Sequence, residues 1–406
     1  MEFQSDSISV SSSTGLDDYN DSLIKVNFLD GSSENFHVAW LRDSCRCSQC
    51  VSSLTKDKKL NPADIDLKQL KPTEITNDGV TLKINWIDDL SSSNYHQSCY
   101  NLSWLQLFKG KFDGLSDYPA DGIYGPEKII HTIAWNVETI KPICEVRFSY
   151  DQLMTDESTL MNVLKGLLTY GIVFICDAPT EKETILTIAR RIAYERTTGY
   201  GSTFDVVANP DPNAHFSYSS APLELHTDLC YRERVPGIQL LHCIQSAVEG
   251  GDSVFADGLY CGQQLQLNEP HLFDILTKPV IFSFYDSQRS IWFRQKWPII
   301  VTDETNTKTI KEVNLSYFSM RAPLLPANQM DTFFTAFRKL FNYTRSSCNR
   351  LTLKLREGEV AIFNNRRVFH GREGYPQNEQ RFLQGCYMDL DEIQGLYEKL
   401  STKSNH

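Results

Sequence analysis

The sequence has no basic excess, no apolar run of membrane length and no internal repeat. Its 51 acidic residues outnumber its 40 lysines and arginines, and the net charge of -11 repels nucleic acid and anionic membrane surfaces. The most apolar stretches, such as residues 171–176, have the length of a strand and are too short to cross a bilayer. We therefore expect neither a nucleic-acid partner nor a membrane partner.

The first 24 residues lack Lys and Arg and are rich in Ser and acidic residues. A secretory signal has a basic start and an apolar core, and a mitochondrial transit peptide is rich in Arg. Because neither pattern is present, we expect residues 1–21 to be a disordered tail of a cytoplasmic protein.

The eleven cysteines are odd in number and irregularly spaced, which argues against a disulfide framework. Cys45, Cys47 and Cys50 form the pattern CxCxxC, and such a cluster is more often a metal site than a disulfide. With His96 they can form a closed tetrahedral Cys3His site for structural Zn(II). Cys99 is a rival fourth ligand, and three free thiols on a loop are the alternative interpretation.

Short alternating segments between turns, from about residue 23 to residue 104, predict a small β-rich domain. We place this N-terminal domain at residues 22–106, a linker at 107–140 and a second domain at 141–400. In the second domain, many short strands with a few flanking helices favour a closed or doubled β architecture over a parallel α/β sheet. The expected fold class is α+β.

Three elements near the start of the second domain are predicted in more detail. The pattern indicates a helix over residues 151–168 and a buried strand over residues 171–175. A further helix is predicted to begin near Thr180, where Thr180 and Glu183 can form a capping box.

Two histidines and one carboxylate carry the predicted chemistry. His226 and Asp228 are two residues apart, so on a strand they point to the same face and can bind one ion. His370 follows a later strand-like run, which a jelly roll would bring alongside the first. Two histidines and one carboxylate on one face leave three octahedral positions open, as in Fe(II) oxygenases.

Arg381 lies eleven residues after His370 and can pair with the far carboxylate of 2-oxoglutarate in a two-pronged contact, for which Arg is better suited than Lys. A His-x-Asp pair by itself is a weak signal, and its combination with a late His-Gly and a following Arg makes it more specific. A zinc hydrolase is an alternative, but such a site favours tetrahedral closure and has no use for Arg381.

Several motifs in both predicted domains resemble the family of γ-butyrobetaine dioxygenase and trimethyllysine dioxygenase, the 2-oxoglutarate-dependent hydroxylases of carnitine biosynthesis. The matching motifs are Trp40-Leu41-Arg42-Asp43, His226-Thr227-Asp228, residues 236–243, Gly250-Gly251-Asp252-Ser253 and His370-Gly371-Arg372. The resemblance implies a small zinc domain followed by a double-stranded β-helix, or jelly roll, that carries iron. It also implies 2-oxoglutarate and ascorbate as cofactors, and a homodimer.

The spacing of three cysteines after Trp-Leu-Arg-Asp, with Cys47 in the middle, is closer to the γ-butyrobetaine dioxygenase branch. The resemblance thus implies hydroxylation of γ-butyrobetaine to L-carnitine, with 2-oxoglutarate and O2 converted to succinate and CO2. Two alternatives stay open. One is hydroxylation of trimethyllysine, and the other is a non-catalytic β-helix protein that binds a quaternary ammonium ligand.

A trimethylammonium group donates no hydrogen bonds, so a protein recognises it among aromatic faces. By position, the family's aromatic cage falls on Tyr200, Phe204, Tyr218 and Tyr387. At Phe204 the family has a larger indole. The family's two asparagines that hold the substrate carboxylate fall at His215 and Ser316, with Asn213 and Asn314 close by.

Overall fold

The structure is a computed structural model that describes residues 22–87, 95–113, 131–207, 219–287, 289–303 and 308–403. The chain divides into two compact units, Met1–Glu127 and Lys128–His406, and this division falls inside the predicted linker. The predicted tail, residues 1–21, lies outside the described residues, and the predicted domain boundaries remain predictions. No helix in the described ranges has both the length and the hydropathy to cross a membrane.

The first unit is β-rich, as predicted. Its strands form a two-stranded and a three-stranded antiparallel sheet, and they are β1 (Leu23–Asn27), β2 (Ser33–His37), β3 (Lys71–Asn77), β4 (Thr81–Ile87) and β5 (Tyr95–Asn101). Two short α-helices, α1 (Val38–Asp43) and α2 (Leu102–Gln106), and the 3-10 helix Pro62–Asp64 complete its described part.

The turn between β3 and β4 shows why these strands form where they do. Gly79 has a φ of 86°, a conformation that glycine adopts without steric cost. The Asp78 carboxylate accepts hydrogen bonds from the backbone N–H groups of Val80 and Thr81. Beyond this turn every second residue of β4 is buried, and Trp86 at its end donates a hydrogen bond to Ser98 on β5.

The second unit contains the larger part of the α+β fold. Its helices are α3 (Val137–Glu145), α4 (Tyr150–Thr155), α5 (Glu157–Tyr170), α6 (Thr184–Ile192), α7 (Gly258–Asn268), α8 (Pro270–Leu276), α9 (Ala327–Arg345) and α10 (Leu390–Lys403). Its strands are β6 (Phe148–Ser149), β7 (Ile172–Cys176), β8 (Phe204–Val207), β9 (Leu223–His226), β10 (Ile238–Gln245), β11 (Ser253–Asp257), β12 (Pro279–Asp286), β13 (Ile291–Pro298), β14 (Ile300–Thr302), β15 (Ile310–Val313), β16 (Leu351–Leu353), β17 (Val360–Asn364), β18 (Val368–Arg372) and β19 (Phe382–Met388).

Two sheets of this unit form the jelly roll that the sequence predicted. The major sheet has the order β6-β7-β17-β10-β19-β8, and the minor sheet has the order β16-β11-β18-β9. Phe255 of the minor sheet packs against Phe174 and Phe363 of the major sheet, with ring centroids 5.9 and 5.5 Å apart. These rings belong to the apolar core, while α5, α6 and α10 contribute to a second core with major-sheet residues.

The predicted helix over residues 151–168 is two helices in the structure. Asp156 separates α4 from α5, and its carboxylate accepts hydrogen bonds from the N–H groups of Ser158 and Thr159. The backbone of Asp156 is extended, with a φ of -109° and a ψ of 123°, as is usual for such a cap residue, and this conformation interrupts the helix. After α5, Gly171 takes a φ of 77°, and β7 begins one residue later than predicted.

The capping box predicted at Thr180 is wrong. Helix α6 begins four residues later, and Glu183 occupies the position before it with a φ of 70° and no side-chain cap. The backbone N–H of Glu183 instead donates to the side chain of Gln384 on β19. This tertiary hydrogen bond supersedes the local pattern that the sequence suggested.

Candidate functional site

The structure brings His226, Asp228 and His370 together. His226 ends β9 and is directly opposite His370 on the neighbouring antiparallel strand β18. Nε2 of His226 is 3.3 Å from Oδ1 of Asp228, and Nε2 of His370 is 3.8 Å from Oδ2. One possible ligand atom from each residue lies within 4.8 Å of the other two. Both imidazoles are buried, at 2% and 7% exposure.

The surroundings of Asp228 hold its backbone and its carboxylate. The Asp228 N–H donates to Oδ1 of Asn365, whose Nδ2 donates to the Asp228 carbonyl. Oδ2 of Asp228 accepts hydrogen bonds from Gln239 and from the hydroxyl of Tyr387, at 2.9 and 2.8 Å. Sequence analysis missed Gln239 and Asn365, because no spacing in the sequence relates either amide to Asp228. Gln239 does lie within residues 236–243, one of the motifs that resemble the family.

Electrostatics favour an ionised Asp228 carboxylate beside a neutral His370 imidazole. Burial by itself would raise the pKa of Asp228, but His370, His226 and the Tyr387 hydroxyl together hold that pKa below its ordinary value. Burial, followed by the nearby His226, lowers the pKa of His370 to about 3. Burial and the Asp228 charge raise the pKa of Tyr387 well above its ordinary value, so its hydroxyl remains a donor at neutral pH.

The donor set fits a divalent metal of the iron type. Nδ1 of His226 lies 2.8 Å from the carbonyl oxygen of Glu224, a contact that leaves Nε2 free to bind a metal. Two imidazole nitrogens and one carboxylate from one side of an ion correspond to the triad that binds Fe(II) in oxygenases. The protein would thus leave the opposite side of the ion open to ligands.

Arg381 is a buried cation just before β19. It is 6% exposed, and among the described residues it makes no hydrogen bond or salt bridge. Burial and the nearby Arg372 lower the pKa of Arg381 to about 10, so it stays charged at neutral pH. A buried charge is costly without an anionic partner, so this guanidinium fits a site for a carboxylate ligand.

Three of the four predicted cage residues lie in the described part of the chain. The ring of Phe204 stacks on Tyr387, with centroids 5.1 Å apart. Tyr200 is 44% exposed and shares a hydrogen bond with Tyr231, a buried residue that sequence analysis missed. Tyr231 lies only three residues after Asp228, and this proximity could have indicated it. Tyr218 lies outside the described residues.

The residues expected near a substrate carboxylate are only partly described. Ser316 is buried, and its hydroxyl accepts a hydrogen bond from Ser319. Asn314 is also buried and donates to the carbonyl of Pro298. His215 and Asn213 lie outside the described residues. The role of these positions remains a prediction.

In the first unit, the three predicted cysteines converge on His96. The sulfur atoms of Cys45, Cys47 and Cys50 lie 3.3, 3.8 and 3.5 Å from Nε2 of His96. The hydrogen bond from Cys50, assisted by His96, lowers the pKa of the Cys45 thiol. Thiolates are the form of cysteine that binds metals.

These distances fit tetrahedral zinc, because Zn–S and Zn–N bonds of ordinary length place sulfur and nitrogen about 3.5 Å apart. The alternative ligand, Cys99, is exposed and donates to the side chain of Gln97. It lies three residues beyond His96 on β5, so its side chain points to the opposite face of the sheet.

Comparison with known proteins places this geometry in a family. A profile described as "Taurine catabolism dioxygenase TauD, TfdA family" matches residues 136–387. A second profile, "Gamma-butyrobetaine hydroxylase-like, N-terminal", matches residues 17–106. Together the two matches cover most of both units.

Three curated relatives are similar over nearly the whole chain. Gamma-butyrobetaine dioxygenase of Pseudomonas sp. (strain AK-1) is 30% identical over 91% of this chain and 91% of its own. Dioxygenase str8 of Strobilurus tenacellus is 28% identical over 88% and 83%, and trimethyllysine dioxygenase of Gallus gallus is 27% identical over 88% and 81%. The chain therefore belongs to the TauD and TfdA dioxygenase family, in the group of γ-butyrobetaine and trimethyllysine dioxygenases, and is an Fe(II)- and 2-oxoglutarate-dependent dioxygenase.

Proposed function

We propose that this dioxygenase hydroxylates γ-butyrobetaine to L-carnitine, with iron bound by His226, Asp228 and His370. The observation that carries the proposal is the buried two-histidine, one-carboxylate cluster whose aspartate is hydrogen-bonded to an aromatic cluster. Arg381 would pair with the far carboxylate of 2-oxoglutarate. Iron and 2-oxoglutarate together would supply oxygen activation, in which 2-oxoglutarate and O2 become succinate and CO2 while one C–H bond is hydroxylated.

The protein's own residues bind and orient the reactants. Tyr387 and Phe204 present stacked rings beside Asp228, and Tyr200 with Tyr231 extends this aromatic cluster. Aromatic faces attract a quaternary ammonium group, which water solvates poorly. The carboxylate of Asp228 adds negative charge close to the rings. A substrate cation placed there would have its neighbouring carbon close to the metal. By position, Tyr218 would be a fourth member of the cage.

The choice of γ-butyrobetaine over trimethyllysine is supported by the three-cysteine spacing with Cys47, which resembles the first branch. Both substrates carry the same trimethylammonium group, and trimethyllysine has an additional α-amino group that the pocket would have to accept.

Four further features belong to the proposal. Zinc would be held by Cys45, Cys47, Cys50 and His96 as a structural ion, and ascorbate would keep the catalytic iron reduced. None of the eleven cysteines forms a disulfide, which fits a reducing compartment such as the cytoplasm. The enzyme would be a homodimer, and a light-scattering mass equal to one chain would contradict that assembly.

The test is mass spectrometry of the purified protein incubated with Fe(II), ascorbate, 2-oxoglutarate and either γ-butyrobetaine or trimethyllysine. We expect carnitine and succinate in equal amounts from γ-butyrobetaine, and little product from trimethyllysine. His226→Ala should abolish both products, because it removes a metal ligand. His271→Ala is the matched control, because this histidine is exposed on α8.

Three other outcomes would change the proposal. Hydroxytrimethyllysine as the main product would assign the chain to the other branch. Succinate without either hydroxylated product would support the iron site and reject both substrates. No succinate under any condition would favour a protein that only binds the quaternary ammonium ligand.

A further inference from the structure

The two oxygens of the Asp228 carboxylate have different surroundings. Oδ2 accepts one hydrogen bond from Nε2 of Gln239 at 2.9 Å and another from the hydroxyl of Tyr387 at 2.8 Å. Oδ1 is 3.3 Å from Nε2 of His226, and Oδ2 is 3.8 Å from Nε2 of His370; both imidazoles are proposed metal ligands and not structural donors to the carboxylate. The two oxygens therefore differ because Oδ2 accepts hydrogen bonds from two neutral side chains.

A carboxylate oxygen has two lone pairs. Gln239 and Tyr387 can occupy both lone pairs of Oδ2, which leaves the lone pairs of Oδ1 for a metal. Both donors are almost fully buried, at 1% and 4% exposure, so water does not compete strongly for them. Hydrogen bonds to a charged acceptor are also stronger than those between neutral groups.

The two donors form a cross-strand pair. Gln239 on β10 is directly opposite Tyr387 on β19 in the antiparallel register of the major sheet. Asp228 follows β9 of the minor sheet, so this pair ties the proposed metal ligand to the facing sheet. On the backbone side, Asn365 binds both the N–H and the carbonyl of Asp228. Asp228 is therefore held at its carboxylate by the major sheet and at its backbone by Asn365.

We propose that Gln239 and Tyr387 are positioning residues that hold Asp228 as a one-oxygen ligand, with Oδ1 toward the metal and Oδ2 bonded to the major sheet. The inference rests on the proposed iron site and goes beyond it. A one-oxygen aspartate leaves three positions of an octahedral ion open, which is the number that 2-oxoglutarate and O2 together need. If both oxygens bound the metal, one of these positions would be lost.

The experiment measures the affinity for Co(II), a stable substitute for Fe(II), by calorimetric titration of the full chain without substrate, with one zinc ion already bound to the Cys3His cluster of the first unit. The variants are Tyr387→Phe, which keeps the ring and removes the hydroxyl, and Gln239→Leu. We expect each variant to bind Co(II) about 10-fold to 100-fold more weakly, the usual effect of removing a hydrogen bond to a metal ligand. Omitting substrate separates this effect from the role of Tyr387 in the aromatic cluster.

Matched controls remove similar groups that do not reach Asp228. Tyr231→Phe removes a buried hydroxyl that bonds to Tyr200, and Gln245→Leu removes an exposed amide at the end of β10. Both should bind Co(II) like the unaltered chain. The melting temperatures of all variants should be similar when no Co(II) is present. If Gln239 or Tyr387 had a merely structural role, its replacement would lower the melting temperature without Co(II) as well.

The outcomes separate this inference from the proposed function. If the unaltered chain binds Co(II) and both Asp228-directed variants bind it equally well, the positioning role is overturned while the iron site stands. If the unaltered chain does not bind Co(II), the proposed iron site itself fails. A second readout is the ratio of hydroxylated product to succinate, which we expect to fall in Tyr387→Phe and to stay unchanged in Gln245→Leu.

Discussion

Arg381 is a buried cation whose surroundings fit an anionic ligand. Its guanidinium is buried and, within the described residues, has no carboxylate partner. Gly251 faces it with a φ of 69°, and a Cβ added there would lie 3.0 Å from Cδ of Arg381. The absence of a side chain at Gly251 thus lets the arginine occupy its position.

We expect Arg381→Lys to weaken 2-oxoglutarate binding by roughly one to two orders of magnitude, because a lysine keeps the charge but loses a hydrogen bond to the carboxylate. The KM for 2-oxoglutarate measures the effect. Gly251→Ala should raise the same KM by displacing Arg381. Gly79→Ala is the control, because it has a similar positive φ and no atom within 4 Å. An unchanged KM in both variants at Arg381 and Gly251 would refute the assignment.

His242 supplies a prediction about pH. It is fully buried on β10, neither ring nitrogen has a hydrogen-bond partner in the part of the chain that the structure describes, and burial lowers its pKa to about 4. In the unfolded chain the pKa of histidine is about 6.5, so the unfolded state binds the proton first. Neutral His242 therefore makes its full contribution to the free energy of unfolding above about pH 6.5, and this contribution is lost as the pH falls toward 4.

The variant His242→Met cannot be protonated at this position, so its free energy of unfolding should fall less between pH 7 and pH 4.5 than that of the unaltered chain. Urea titrations at several pH values measure the difference. His271→Met, at an exposed position, should leave the pH dependence as it is. Parallel pH curves for His242→Met and the unaltered chain would contradict the prediction.

At the residue scale, sequence analysis found the residues whose spacing along the chain reflects the function predicted for them. His226 and Asp228 are two apart on an extended segment, and His370 lies where a jelly roll returns a strand, and the structure brings them together. Gln239 and Tyr231 could not be identified in this way. Their contribution depends on which side chains the folded strands place next to each other, and that information is not local in the sequence.

At the scale of elements, one buried ion pair joins several parts of the second unit. Arg367, just before β18, contacts Asp257 at the end of β11, and both side chains are almost completely buried. Arg367 also donates to the carbonyls of Thr169 and Ile133, while Asp257 caps α7 through the N–H of Leu259. Every charge in this group has several partners, which compensates for the loss of water.

We expect Arg367→Met to lower the free energy of unfolding by about 3–5 kcal/mol, because Asp257 would remain buried without its counter-ion. Denaturant titration measures this loss. Arg190→Met is the control, since Arg190 pairs with Glu195 at the surface and such pairs contribute about 1 kcal/mol or less. A similar small loss in both variants would show that the buried pair is dispensable.

The pattern of the sequence predicted the strands better than the helix boundaries. The strand at residues 172–176 lies within one residue of the predicted apolar run, because a buried strand is a continuous apolar segment. The start of α6 could not be derived, since Gln384 from a distant strand binds the backbone N–H of Glu183. Strand β9 has only four residues, and it was recognised because His226 and Asp228, at and just beyond its end, have the spacing of two ligands on a strand.

At the scale of the whole molecule, each of the two units has its own candidate metal site. The first unit is the smaller of the two. A closed Cys3His site adds folding energy only while the ion is bound. Loss of zinc should therefore unfold the first unit before the second.

We expect the purified chain to contain one zinc per molecule by elemental analysis, and Cys47→Ser to lose it. Cys99→Ser should retain the zinc, because its side chain lies on the opposite face of β5 from His96. Limited proteolysis after chelation should cleave within residues 22–106 first. Loss of zinc in Cys99→Ser together with its retention in His96→Gln would assign the fourth ligand to the rival cysteine.

The pairing of His226 with His370 has a consequence for the synthesis of the protein. Asp228 is tied to Asn365, which lies 137 residues later in the chain, and the partner strand β18 begins three residues after Asn365. A growing polypeptide therefore emerges from the ribosome with His226 and Asp228 long before His370 exists. If these three residues bind the iron as proposed, the metal is acquired late in biogenesis, and a prematurely terminated chain cannot retain it.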